Sequence, residues 1–268
     1  LKAFPQPDGT LSLFRPMENG LRMARSMEGL LMPVYPAGTF VQAVQKVVDR
    51  NRELGFSPAY DKAWESDDFI SASTVYVRPF SYAESGIGVD LSVSPWVIIV
   101  TTTVGSYFNL ESDASTITTR RGRATPGGTG WIKCSGNYVT SALAKKEAEA
   151  TGCIEAIFLD SAEHRYLEEG SSCNLFAVLS DGRLVTPMLG DTILPGITRQ
   201  SVITLAGEQG IKVEERRVSV EEVLDDAVEA ILSGKVVDIG AVADSISMSS
   251  IASSVASASS AIGSRKTK

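Results

Sequence analysis

Between residues 139 and 217 the chain alternates two kinds of segment at a spacing that leaves few folds open. Residues 139–151 are rich in alanine and lysine and are stopped by Gly152, the pattern of a helix. Four short apolar runs follow, at 154–159, 166–168, 175–179 and 184–186, separated by polar turns. Runs of that length bounded by turn residues predict strands. Residues 198–209, closed by Gly210, predict a helix, 213–217 a strand and 220–225 a short helix. Helices interleaved with strands predict a mixed α/β architecture.

The upstream part reads as a smaller unit of the same kind. Asp8-Gly9 before an apolar run at 11–14 predicts the second strand of a hairpin. Residues 16–31, opening with Pro16, and residues 40–54, closed by Gly55, carry apolar positions at helical spacing. Residues 73–80 alternate as a strand does, and 96–104 form another. From 109 to 121 the chain turns polar, with Glu111, Asp113 and several Thr and Arg, and this stretch is the predicted interdomain linker. The division is a small domain over 1–108, a large domain over 122–244 and a Ser/Ala-rich tail over 245–268. That tail is poor in core-forming residues and is expected to be largely disordered.

Composition removes several classes of function. A formal charge of −7 argues against nucleic acid as a bulk electrostatic partner. No run of about twenty apolar residues exists, so no membrane span is expected. The cysteines, Cys134, Cys153 and Cys173, are odd in number and lack CxxC spacing, which suits a reduced compartment better than a disulfide framework. Cytosol and mitochondrial matrix both remain open, since no targeting signal can be read. The single histidine, His164, lies in a polar turn and is expected to be solvated, which leaves little material for a metal site or a Ser-His pair. At 268 residues with 43% apolar content, the chain can bury one large core or two modest ones.

Two glycine-bearing segments carry the chemistry. The first runs Gly127-Gly128-Thr129-Gly130-Trp131-Ile132-Lys133-Cys134-Ser135-Gly136-Asn137-Tyr138. A lysine amine that can be neutral attacks carbonyls, and the flanking glycines remove side chains that would crowd a bound cofactor. The second is Glu169-Gly170-Ser171-Ser172-Cys173-Asn174, followed by Leu194-Pro195-Gly196-Ile197-Thr198-Arg199. Taken singly, Lys133 reads as a solvated surface charge and Glu169 as a strand-end acid. Two phosphate-loop readings fail. Ile132 stands where a Walker loop needs glycine, and around Lys235 both Glu229 and Val236 break the pattern.

In order and spacing these pieces resemble the class IV (fold type IV) pyridoxal-phosphate aminotransferases, and the Gly-Gly-Thr-Gly…Gly-Asn-Tyr segment is most similar to the branched-chain amino-acid group. Supporting similarity runs through Glu18-Asn19…Arg22, Tyr76-Val77-Arg78-Pro79 and Arg123-Ala124-Thr125-Pro126, over roughly residues 1–233. The resemblance implies a two-domain α/β (α+β) fold, with a small N-terminal α/β domain and a larger mixed-sheet or pseudo-barrel C-terminal domain. It implies pyridoxal 5'-phosphate as cofactor, held as a Schiff base on Lys133, the catalytic residue. Glu169 would face the ring nitrogen, Tyr138 the phenolic oxygen, and Arg22 with the Ile197-Thr198 turn the phosphate. Tyr76 and Arg78 would lie on the substrate side. Leucine, isoleucine or valine and 2-oxoglutarate are the implied substrates, and a homodimer is implied because the family completes each pocket with a loop from a partner subunit. A D-amino-acid aminotransferase, an aminodeoxychorismate lyase and a non-catalytic relative stay open. The family's Ser/Thr-Gly-Thr-Ala is replaced by Ser233-Gly234-Lys235-Val236, and the resemblance implies that both ends of the family fold are incomplete in this chain.

Overall fold

The protein is described by a computed structural model over residues 1–65, 72–105, 116–232 and 235–237, the last of these for its backbone. The described residues fall into two compact units, one within Leu1–Phe108 and one within Asn109–Val255. The Ser/Ala tract at 245–268 and residues 109–115 of the predicted linker lie outside the described residues.

In the first unit, β1 (Lys2–Pro5), β2 (Leu11–Leu13), β3 (Thr74–Tyr82) and β4 (Trp96–Val104) form an antiparallel sheet in the order β2-β1-β3-β4. Helices α1 (Pro16–Gly29) and α2 (Ala37–Glu53) accompany it. Side chains alternate across a strand, and Val75 and Val77 on one face of β3 pack with Phe40, Val44 and Val48 of α2. The opposite face presents Phe80 and Tyr82 of β3 and Trp96 and Val100 of β4, all exposed.

The second unit contains two sheets. One is three-stranded: β5 (Thr116–Thr119), β6 (Glu155–Leu159) and β7 (Leu167–Gly170), with β5 parallel and β7 antiparallel to β6. The other holds β8 (Leu175–Leu179), β9 (Leu184–Pro187), β10 (Val213–Arg216), β11 (Ala227–Leu232) and β12 (Lys235–Val237), in the order β10-β9-β8-β11-β12. Helix α3 (Asn137–Ala150) packs Ala144 and Ala148 on β6, and α4 (Ile197–Glu208) packs Val202 and Ala206 on the five-stranded sheet. Helix α5 (Val220–Asp226) is short and capped by Ser219, whose side chain accepts from the Glu222 N–H.

Strand β8 is central, which explains its unbroken apolar run. Phe176 and Val178 face α4, whereas Leu175, Ala177 and Leu179 face the core shared with β6, β7 and α5. Two segments differ from the sequence reading. Residues 116–119 of the predicted linker form β5, because their β-branched Thr-Ile-Thr-Thr run finds an open edge on β6. Residues 227–232 form β11, a strand that local propensity left unassigned and that antiparallel pairing with β8 creates.

Phe176 is fully buried between the sheet and α4. Phe176→Ala is expected to lower the unfolding free energy by about 3–5 kcal/mol, read from urea denaturation. A loss below about 1 kcal/mol would mean that this core relaxes around the cavity.

Candidate active site

The lysine-bearing loop is fixed from behind by one buried asparagine. Asn137 opens α3 and donates from Nδ2 to the carbonyls of Thr129 (2.7 Å) and Ile132 (3.1 Å), while Thr129 Oγ1 donates to Asn137 Oδ1 at 3.0 Å. That closed set of bonds gives Thr129 and Asn137 a structural role within the glycine-rich segment. It leaves Lys133 exposed at the tip and places Tyr138, the next residue on α3, beside it. Lys133 Nζ donates to Tyr138 Oη at 2.5 Å. The glycines serve more than one purpose. Gly127 has a φ of +75°, as the sequence reading of permissive backbone expects. At Gly130, however, an added Cβ would stand 2.5 Å from the Asp191 carbonyl oxygen, so this glycine allows the chain itself, rather than a cofactor, to approach.

Glu169 stands at the end of β7 and is 3% exposed. Its carboxylate accepts from Arg123 Nε at 2.6 Å and from Asn174 Nδ2 at 2.9 Å, and the Leu194 N–H approaches to 3.3 Å. Arg123 is also buried and spends its remaining reach on the carbonyls of Gly130 (3.1 Å) and Thr192 (2.8 Å). One guanidinium thus ties the Lys133 loop, Glu169 and the 192–194 segment together. Burial pushes the Glu169 carboxyl up to about 7, against the downward pull of Arg123, the Leu194 N–H and the Lys133 charge.

The same asparagine that holds Glu169 seats the start of α4. Asn174 Nδ2 also donates to the Leu194 carbonyl at 2.9 Å, and an added Cβ at Gly196 would stand 2.0 Å from Asn174 Oδ1. Gly196 is the N-cap of α4 and supplies no side-chain cap. A helix start of that kind is suited to an anion. Ile197 is buried and Thr198 half-buried in its first turn. Arg199, to which the sequence assigned no contact, is buried and bonds the Pro187 carbonyl and Glu215, joining α4 to β9 and β10.

Of the residues singled out from sequence, Lys133, Tyr138, Glu169, Ile197 and Thr198 lie in the second unit and share this framework. Arg22, Tyr76 and Arg78 lie in the first. Arg22 bonds Asn19 on α1, and the Arg78 guanidinium lies 5.2 Å from the Tyr76 ring centre. Sequence reasoning quoted Arg123 and Asn174 without giving them roles. Only their meeting at Glu169 reveals them. The three cysteines are free, His164 is exposed in a turn, and no metal-binding cluster occurs among the described residues.

The raised Glu169 carboxyl has a thermodynamic consequence. The folded chain holds this proton more tightly than the unfolded chain, whose glutamate ionises near 4.5. Stability from this group is therefore greatest below 4.5 and falls as pH rises toward 7, by about 3 kcal/mol. Urea unfolding of the cofactor-free chain should show a steeper loss across that window in wild type than in Glu169→Gln. Equal slopes would mean that the carboxyl is ionised throughout.

Comparison with known proteins bears on what this framework belongs to. Residues 13–244 match the family model described as amino-transferase class IV. The branched-chain-amino-acid aminotransferase of Mycobacterium tuberculosis is 37% identical over 228 residues, covering 83% of this chain and 59% of that protein. The chloroplastic branched-chain-amino-acid aminotransferase 5 of Arabidopsis thaliana is 39% identical over 232 residues, covering 84% and 52%. The chain thus spans little more than half the length of these curated relatives. Among solved structures, the T.th. branched-chain amino acid aminotransferase complexed with N-(5'-phosphopyridoxyl)-L-glutamate superimposes with a TM-score of 0.69 at 29% identity, covering 88% of this chain and 72% of that one. The family match over most of the chain, the identity to these relatives and the shared fold place this protein in the class IV aminotransferase family.

Proposed function

We propose that this chain is the cofactor-binding core of an aminotransferase that moves the amino group of leucine, isoleucine or valine to a 2-oxo acid, with 2-oxoglutarate as acceptor. The observation that carries the reading is the buried Glu169, held by Arg123 and Asn174 in the same framework as the exposed Lys133–Tyr138 pair. The residues present fit pyridoxal 5'-phosphate. Lys133 suits the carbonyl carbon, Tyr138 the phenolic oxygen, Glu169 the ring nitrogen, and the α4 start at Ile197 and Thr198 the phosphate. When bound, that cofactor supplies an electron sink for the carbanion formed at the substrate Cα.

The rest of the work falls to side chains. Lys133 Nζ is the base that takes the Cα proton and returns it, and Tyr138 Oη, at 2.5 Å, orients that amine. A cationic ring nitrogen beside Glu169 favours its ionised form, offsetting the burial that otherwise pushes this carboxyl up to about 7. Arg123 keeps the carboxylate from turning away. The amino-acid class rests on the relatives, which are named for branched-chain amino acids. The solved relative with a phosphopyridoxyl-glutamate supports the cofactor and an acidic partner substrate.

With pyridoxal phosphate added, the purified chain should develop a visible absorption band that Lys133→Ala abolishes, and leucine should convert that band. Transamination should fall on the order of a thousand-fold or more in the variant. A wild-type chain with no such band would end this reading.

We further propose that two copies associate through the bare face of the first unit's sheet, where Phe80, Tyr82, Trp96 and Val100 stand exposed together. A contiguous aromatic patch of this sort is costly to leave in water. Light scattering should give about twice the chain's 28.5 kDa, with Trp96→Glu shifting the equilibrium toward monomer. A monomer at all concentrations would overturn this.

A further inference from the structure

Glu155, at the start of β6, is 0% exposed. A carboxylate taken out of water is costly unless a cation or several donors face it. No lysine or arginine pairs with Glu155 among the described residues. Its donors come instead from the 171–173 turn and from its own neighbour in β6. The hydroxyls of Ser171 and Ser172 both donate to it, the latter at 3.1 Å, with the Cys173 thiol at 4.0 Å and the Ala156 N–H at 3.0 Å. The Ser171 N–H adds a bond to the Ala156 carbonyl at 3.0 Å, and the Gly170 N–H closes the turn on the Cys173 carbonyl at 2.8 Å.

That turn separates Glu169 from Asn174, which pair across it as a single antiparallel bridge. Asn174 in turn holds the Glu169 carboxylate and the Leu194 carbonyl. A loosened turn would therefore displace Glu169 from Arg123 and Asn174 from Gly196 together. We propose that Glu155 is a positioning residue for the site. By gripping Ser171 and Ser172 it fixes where the Glu169 carboxylate stands, and it does so without touching cofactor or substrate. The functional meaning rests on the proposed reading of Glu169 as the ring-nitrogen partner, but the placement is a property of the chain alone.

The test is therefore made first on the cofactor-free protein, by following the Glu169 carboxyl with carbon-13 NMR and assigning it by its loss in Glu169→Gln. Wild type should titrate near 7, raised by burial and by Glu168 against the downward pull of Arg123, the Leu194 N–H and Lys133. Ser171→Ala/Ser172→Ala, which removes both grips with small side chains, should move that midpoint by about one pH unit or more. Glu155→Gln keeps one acceptor and gains a donor to the other hydroxyl, so it should hold the midpoint near its wild-type value. Val202→Ala, which loosens packing between α4 and the five-stranded sheet, should leave it alone. The inference fails if the double serine variant folds with an unchanged midpoint, or if Val202→Ala shifts it as far. Should the double variant not fold, the single serine variants make the same comparison. Pyridoxal phosphate is then added to each. A wild type without a visible band sinks the proposed function, whereas the titration still decides the role of Glu155.

Discussion

The buried pair between Arg123 and Glu169 is the contact on which the second unit's site depends. Each side chain is almost wholly removed from water, so each relies on the other as a hydrogen-bonding partner. Breaking such a pair by removing one partner costs about 3–5 kcal/mol. Arg123 is also the junction of three segments far apart in sequence, since its guanidinium reaches Gly130 and Thr192 as well as Glu169. The geometry of the Lys133 loop, the end of β7 and the approach to α4 is consequently one geometry, set by a planar cation that donates in fixed directions.

Around that junction, short polar side chains do the holding and glycines permit the approach. Asn137 closes the Lys133 loop, Asn174 closes the turn before α4, and Gly130 and Gly196 let backbone segments come within distances that a Cβ would forbid. Asparagine suits both places because its amide donates and accepts at once. The consequence is an exposed Lys133 amine with the half-buried Tyr138 beside it, over the buried Arg123, Asn137 and Asn174.

Much of the fold was legible from sequence because its elements are locally consistent. The Ala/Lys-rich helix before Gly152, the apolar run of β8 and the short helix α5 each follow from neighbouring residues. What escaped was pairing. The Thr-Ile-Thr-Thr of β5 looks like a polar connector until the edge of β6 is beside it, and the Ala-Val-Glu-Ala-Ile-Leu of β11 becomes a strand only against β8. At the site, Lys133 and Glu169 stood out through the spacing of their motifs. Arg123 did not, because its partners lie 7, 46 and 69 residues away in the chain.

Sequence by itself determined the class of fold, the approximate extents of most elements and the pair of segments proposed to carry the chemistry. Those are matters of local propensity and of motifs written contiguously along the chain. Only the tertiary structure decided which polar groups are buried and what they face. It turned Glu155 toward two serines, with no cation paired to it among the described residues, and it gave Glu169 an arginine and an asparagine. The physical reason is that burial cost depends on the surroundings rather than on the residue, and those surroundings come from strands and loops distant in sequence.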